Sequence, residues 1–261
     1  MKKTLSVLFG LASVVGVASA SDNFSYTATA DPAANPDGVD QSASPVDVWS
    51  VLAVPSGAGG GSGSYLGNPS GGLSGWVIWS SPFGTGAGNG GSVDASTTFA
   101  GGALGIGQTV SLNYEMRAAD PGTQVGVSLL NGSGNAITFA IFGGEPNAGY
   151  PYTGNGYYYS DAGSSYASAG SMGYQYQAEF NIAFTVTGAG TYSAVAGSDS
   201  WSGTFSGSLI GMDVFNHAAG DGSDVTFNNL TIAPAPEPST WAMLAAGGVM
   251  LVGYRRGFRR A

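Results

Sequence analysis

His217 is the only histidine in the 261-residue chain. It stands close to Asp213, Asn216, Asp221 and Asp224. An imidazole among carboxylates is a natural start for proton transfer, because its charge changes near neutral pH. The surroundings do not complete a known machine. A Ser/His/Asp triad needs a nucleophile presented on a strained turn, and no Gly-x-Ser-x-Gly run occurs. Glycoside hydrolysis needs two carboxyls held at a fixed separation. No strand carries a Glu-x-Asp-x-x-Glu run, and Glu115, Glu145 and Glu179 are far apart. The expectation is a loop histidine among solvated acids, in a chain that is not an enzyme.

Two other groups of residues suit binding. Gly220-Asp221-Gly222-Ser223-Asp224 sets two carboxylates three apart in a glycine-bearing turn. Ca²⁺ takes six to eight oxygens, and Asp221 and Asp224 with backbone carbonyls would supply several. Asp213 and Asn216 could add more. Short acidic turns also occur without an ion. Sugar rings stack on exposed aromatic faces, and Tyr150, Tyr152, Tyr157, Tyr158, Tyr159 and Tyr166 crowd one segment. Tyr157, Tyr158 and Tyr159, with Trp76, are the candidate glycan contacts. The same tyrosines suit adhesive packing or simple loop filling equally well. Trp76 and Trp79 have opposite parity, so one of them belongs to the core.

The elements that must position these residues are strands. Alternation with period two recurs, and a helical period does not. Gln108–Arg117 puts Val110, Leu112, Tyr114 and Met116 on one face, with Glu115 and Arg117 neighbours on the other. Gly173–Thr187 alternates in the same way. Further strands are expected at 46–54, 76–80, 124–130, 136–142, 191–196, 202–205, 208–216 and 224–232. The last changes parity between Phe227 and Leu230, which calls for a bulge near Asn228-Asn229. Residues 31–40 and 56–75 read as glycine- and proline-rich loops, and 150–173 as a long surface loop. About ten short strands without helices predict an all-β fold, an antiparallel jelly-roll-like β-sandwich.

Charge narrows the partners. Residues 21–235 carry 15 acids against Arg117 alone, a net of −14. Such a surface repels nucleic acid and anionic headgroups. It suits neutral sugars, Ca²⁺ or Ca²⁺-bridged proteins, and it also simply keeps an exported protein soluble. No cysteine is present, so the core must hold the fold without disulfides.

Both ends carry addresses. Lys2 and Lys3, the apolar stretch Leu5–Val17 and Ala18-Ser19-Ala20 form a signal peptide cut by signal peptidase between Ala20 and Ser21. At the other end Pro236-Glu237-Pro238 precedes the apolar run Ser239–Tyr254, followed by Arg255, Arg256, Arg259 and Arg260. At about 1.5 Å per residue that run is a short membrane span. Snorkelling arginines extend it and hold its end in the cytoplasm. This three-part tail resembles the PEP-CTERM sorting signal of exopolysaccharide-producing Gram-negative bacteria. The resemblance implies processing by an exosortase that recognises Pro236, Glu237 and Pro238. The closing segment Gly211–Asn216 and Asp224–Ile232 also looks like the last two strands of lectin-like jelly rolls found ahead of such tails.

The expected organisation is a signal peptide over 1–20, an exported β-sandwich over 21–233 and the sorting signal over 234–261. The expected itinerary is export, a transient inner-membrane anchor, then the cell surface or extracellular matrix. The expected role is that of a non-enzymatic exopolysaccharide or biofilm protein with a glycan-binding face. An exported polysaccharide-active enzyme, like a jelly-roll glycoside hydrolase, is the alternative.

Overall fold

The computed structural model describes residues 49–54, 61–67, 71–73, 75–81, 91–116, 124–142, 156–173, 175, 177–217, 223–233 and 235. The signal peptide, the Pro-Glu-Pro tail, Arg117 and Asp221 lie outside the described residues. Within them the chain forms fourteen strands. In order they are β1 (Trp49–Val54), β2 (Gly61–Gly67), β3 (Gly75–Ser81), β4 (Ser92–Thr98), β5 (Thr109–Met116), β6 (Gln124–Asn131) and β7 (Gly134–Phe142). They continue as β8 (Gly156–Ser160), β9 (Ala167–Gly173), β10 (Phe180–Gly188), β11 (Thr191–Ala196), β12 (Asp199–Thr204), β13 (Gly211–His217) and β14 (Ser223–Ala233). Two seven-stranded antiparallel sheets result, ordered β1-β4-β13-β6-β7-β8-β9 and β12-β11-β10-β5-β14-β3-β2. They face each other as a sandwich, the all-β arrangement that the alternation implied.

Alternation explains the core. In β5, Val110, Leu112 and Tyr114 point inward and are almost fully buried, while Ser111 and Asn113 point out. In β10, Phe180, Ile182, Phe184 and Val186 do the same. The two strands share a register in which Phe184 faces Val110 and Phe180 faces Tyr114. Trp49, Trp76 and Phe227 meet from three strands with ring centroids 5.3–5.8 Å apart. Such ring pairs add about 0.5–1.5 kcal/mol beyond area burial. With no disulfide present, this packing holds the sheets together.

The parity change in β14 is resolved by the expected bulge. The β14–β5 register slips between Asn228 and Thr231, and Asn229 sits at φ 55°. Val225 and Phe227 therefore face the core before the slip, and Leu230 and Ile232 after it. Asparagine tolerates the left-handed region better than most residues.

Four strands occur where loops or no element were expected. β2 lies inside 56–75, and β8 and β9 lie inside 150–173. β4 was not anticipated at all. Its inward residues are Val93, Ala95 and Thr97, small enough to blur the alternation. Conversely, β10 begins at Phe180 rather than Gly173. Gln177 there holds φ 51° and donates its N–H to the Met116 carbonyl. Glu115 is a further correction. It does not lie on an outer face but is buried, accepting the Leu73 N–H at 2.6 Å. At the far edge Asp199 ties the sheets together by accepting the N–H groups of Ser171 and Met172.

Candidate functional site

His217 ends β13, a central strand of the first sheet, rather than sitting in a loop. Asp213, Phe215 and His217 share one face of that strand, since successive side chains alternate. Met212 and Val214 belong to the inter-sheet core, so this face points away from it. On one side β4 sets Asp94 opposite Phe215 and Ser96 opposite Asp213. On the other, β6 sets Gln124 opposite His217 and Ser128 opposite Asp213. Asp94 is thus a diagonal neighbour of both His217 and Asp213.

The diagonal is closed on one side. His217 Nε2 lies 2.6 Å from Asp94 Oδ1, and both side chains are partly open. Asp213 is different. It is 7% exposed, and its Oδ1 is buried with no hydrogen-bond partner among the described residues. Burial pushes its carboxyl up to about 7, the Asp94 carboxylate adds to the rise and His217 opposes it. A carboxyl that keeps its proton near neutrality is a donor rather than an acceptor. Phe215 lies between, itself buried, with its ring 5.0 Å from the imidazole. The face therefore holds a histidine hydrogen-bonded to Asp94 beside a buried acid whose proton is held up toward neutrality. An imidazole and a raised carboxyl side by side are groups that acid–base catalysis uses.

Hydroxyls continue the face. The register aligns Ser96, Asp213, Ser128, Thr138 and Ser160 across β4, β13, β6, β7 and β8. Ser128 and Thr138 share a hydrogen bond of 2.9 Å. Gly126 stands beside Phe215, where any Cβ would collide with the backbone of β7. That approach keeps the centre of the face flat.

The candidate sugar contacts divide. Trp76 is fully buried, so it is no glycan contact; its register partner Phe227 brings it into the core, and Trp79 takes the opposite face. Tyr157 is also corrected: it is 1% exposed and stacks on Phe139 at 4.8 Å. Tyr159 is half-buried and stacks on Trp201. Tyr158 has the outward parity, opposite Ala140, on the same face as Asp94 and Phe215. Asp224 lies on β14 in the second sheet and Asp213 on the first, so the structure does not bring those two together. Among the described residues no group of three or more His, Cys, Asp or Glu could hold a metal.

No protein-family model and no curated protein matches the chain. Solved structures do. An alginate lyase from Corynebacterium sp. is 13% identical, with 71% of this chain covering 93% of that one at a TM-score of 0.45. An alginate lyase from Alteromonas sp. 272 is 13% identical, with 60% covering 86% at 0.40. The exoplasmic/lumenal domain of VIP36, bound to Ca²⁺ and Man3GlcNAc, is 6% identical, with 54% covering 73% at 0.37. At these identities the likeness concerns the β-sandwich. Several of the matched structures are polysaccharide lyases, where the expectation was a chain that is not an enzyme. That expectation is corrected at its premise, a loop histidine among solvated acids: His217 is on a strand, and Asp213 is not solvated.

Sequence reasoning missed Asp94 as a partner of His217. They lie 123 residues apart, and the strand that brings Asp94 to β13 was not recognised.

Proposed function

We propose that this is an exported, exosortase-processed protein of the cell surface or exopolysaccharide matrix, with a jelly-roll-like sandwich that acts on polysaccharide. The observation that carries the catalytic part is the 2.6 Å Asp94–His217 pair beside buried Asp213 on one sheet face. Diagonal neighbours on adjacent strands lie roughly 7–8 Å apart at the backbone, a spacing from which side chains on one face can reach to either side of a bound bond. Acid and base of inverting glycoside hydrolases stand about 6.5–9.5 Å apart, leaving room for a water. In this reading Asp213 donates its proton to the glycosidic oxygen as the C–O bond breaks. The Asp94–His217 pair takes a proton from the water that bonds to the anomeric carbon.

Charge selects the substrate. The described residues contain no lysine or arginine. A polyanionic chain would meet uncompensated carboxylates, so the substrate is a neutral polysaccharide. The export route rests on the two terminal signals, with signal peptidase and an exosortase as processing partners and the inner membrane as a transient anchor. Ca²⁺ at Asp221 and Asp224 is carried on the acidic balance. It is tested by whether millimolar Ca²⁺ raises Tm beyond ionic-strength-matched NaCl.

The test of the catalytic reading is release of reducing ends from neutral glucans, mannans and xylans by the mature protein. Wild type should release them, and Asp213→Asn and His217→Ala should each lose about 10²-fold or more. Equal activity in wild type and both variants would overturn the assignment.

A further inference from the structure

The hydroxyl row leading from Asp213 ends at a cavity. Thr138 and Ser160 belong to both the row and the cavity wall. The space, about 270 Å³, is completed by Asn131 and Asn135 from the β6–β7 hairpin, Asp161 after β8 and Ser206 after β12. Pockets for drug-sized ligands run from about 300 to 1,000 Å³, so this one suits a smaller group.

Its chemistry is polar without net demand for charge. Among the described residues Asp161 is the one ionisable group lining it, and its carboxylate is already engaged. Oδ1 accepts the N–H groups of Gly163 and Ser164, each at 2.8 Å. Oδ2 accepts the Tyr192 hydroxyl at 3.0 Å and the Thr204 N–H at 3.1 Å. Those four bonds fix the wall and leave little capacity for a cation. Asn131 is likewise held, donating to the Ser206 carbonyl and accepting from the Ser133 N–H. The Asn135 amide has no hydrogen-bond partner among the described residues, which leaves two donors and an acceptor for a ligand. The Thr138 and Ser160 hydroxyls make one bond each, to Ser128 and from the Tyr166 N–H, and keep part of their capacity. A rigid wall with one unspent amide and these half-engaged hydroxyls matches the hydroxyls of a neutral sugar ring.

Position says which sugar ring. From β13 to β8 there are three inter-strand steps of about 4.8 Å, so the cavity lies roughly 14 Å from Asp213. We infer that this cavity is a remote subsite for a neutral hexose or pentose residue, several rings along the polysaccharide from the Asp213 and His217 pair. The inference rests on reading the outer face of the first sheet as the surface that meets polysaccharide.

The test is calorimetric binding of cello-, manno- and xylo-oligosaccharides of two to six residues. The mature protein carries Asp213→Asn, so that no probe is cleaved. For at least one series, affinity should rise about tenfold once the chain is long enough to span from the acid pair to the cavity. Ala162→Trp fills the cavity from an exposed turn position and should abolish that rise. Asn135→Ala removes the unspent amide and should reduce it, with a cooperative melt confirming that each variant is folded. A rise that neither folded variant changes, or no rise in any neutral series, would overturn the subsite. A length-dependent rise lost in both variants, in a protein whose wild type cleaves nothing, would uphold the subsite and remove the catalytic reading. Cleavage without such a rise would do the reverse.

Discussion

Replacing Asp213 with asparagine should make the protein more stable and less active. The carboxyl is displaced from 3.8 to about 7, first by burial and then by Asp94. Below about pH 4 the acid is protonated in folded and unfolded chains alike, and the site costs nothing. Between about pH 4 and 7 the unfolded chain releases a proton that the folded chain keeps, so stability falls as pH rises. Above about pH 7 both states are ionised, and the full penalty of a buried carboxylate is present. At about 1.36 kcal/mol per pH unit, the displacement amounts to about 4 kcal/mol. Asparagine has the same shape and no proton to lose. Its amide needs partners in a place where Oδ1 has none, so about 4 kcal/mol is an upper bound on the gain. For a domain of this size, each kcal/mol moves Tm by about 2–4 °C. The assay is thermal unfolding of both proteins from pH 3.5 to 8.5 at constant ionic strength. The difference in Tm should be smallest at low pH and widen in favour of the variant up to about pH 7. Parallel profiles would show that Asp213 is not a displaced acid, and the proton-donor role would fall with it.

Other expectations follow from packing and from the tail. Trp76→Ala removes the centre of the Trp49–Phe227 cluster and should cost about 3–5 kcal/mol in urea unfolding. A cost under 1 kcal/mol would place Trp76 back on the surface. At the β14 bulge Asn229→Gly should stay within about 1 kcal/mol of wild type, while Asn229→Val should cost about 1–3 kcal/mol because a branched residue resists φ 55°. Equal stability of the two would mean the bulge is not held there. Glu237→Ala should leave the precursor in the inner membrane with its tail intact in an exosortase-bearing host. Wild-type processing would remove that residue from the recognition motif.

Strands were legible where large apolar residues alternate with polar ones. β5, β10 and β11 are of this kind, and the slip in β14 could be read from Phe227 and Leu230 falling on opposite parities. Strands built from small residues were not. β2 reads Gly-Ser-Gly-Ser-Tyr-Leu-Gly, with too little apolar contrast to signal a face. β4 hides behind Val93, Ala95 and Thr97. The tyrosine segment misled for another reason. Six tyrosines looked like one exposed surface, but strand parity sends Tyr157 into the core and leaves Tyr158 outside. The site followed the strands. Asp213 was noted only as one of four polar neighbours of His217, the partner Asp94 needed β4, and the burial that displaces Asp213 is a property of the assembled face. Trp76 and Trp79 show how far parity alone reaches: it separated them without saying which was inside.

In the proposed reaction Asp213 gives a proton to a glycosidic oxygen while the Asp94–His217 pair manages the water. The most direct measurement is the pH dependence of kcat/KM on a neutral polysaccharide that the wild-type protein cleaves. The rate should fall as pH rises through about 7, where Asp213 loses its proton. Asp213→Asn should lose about 10²-fold or more of the rate at pH 6 and, with it, that falling limb. A wild-type limb near pH 7 that persists unchanged in Asp213→Asn would contradict the account.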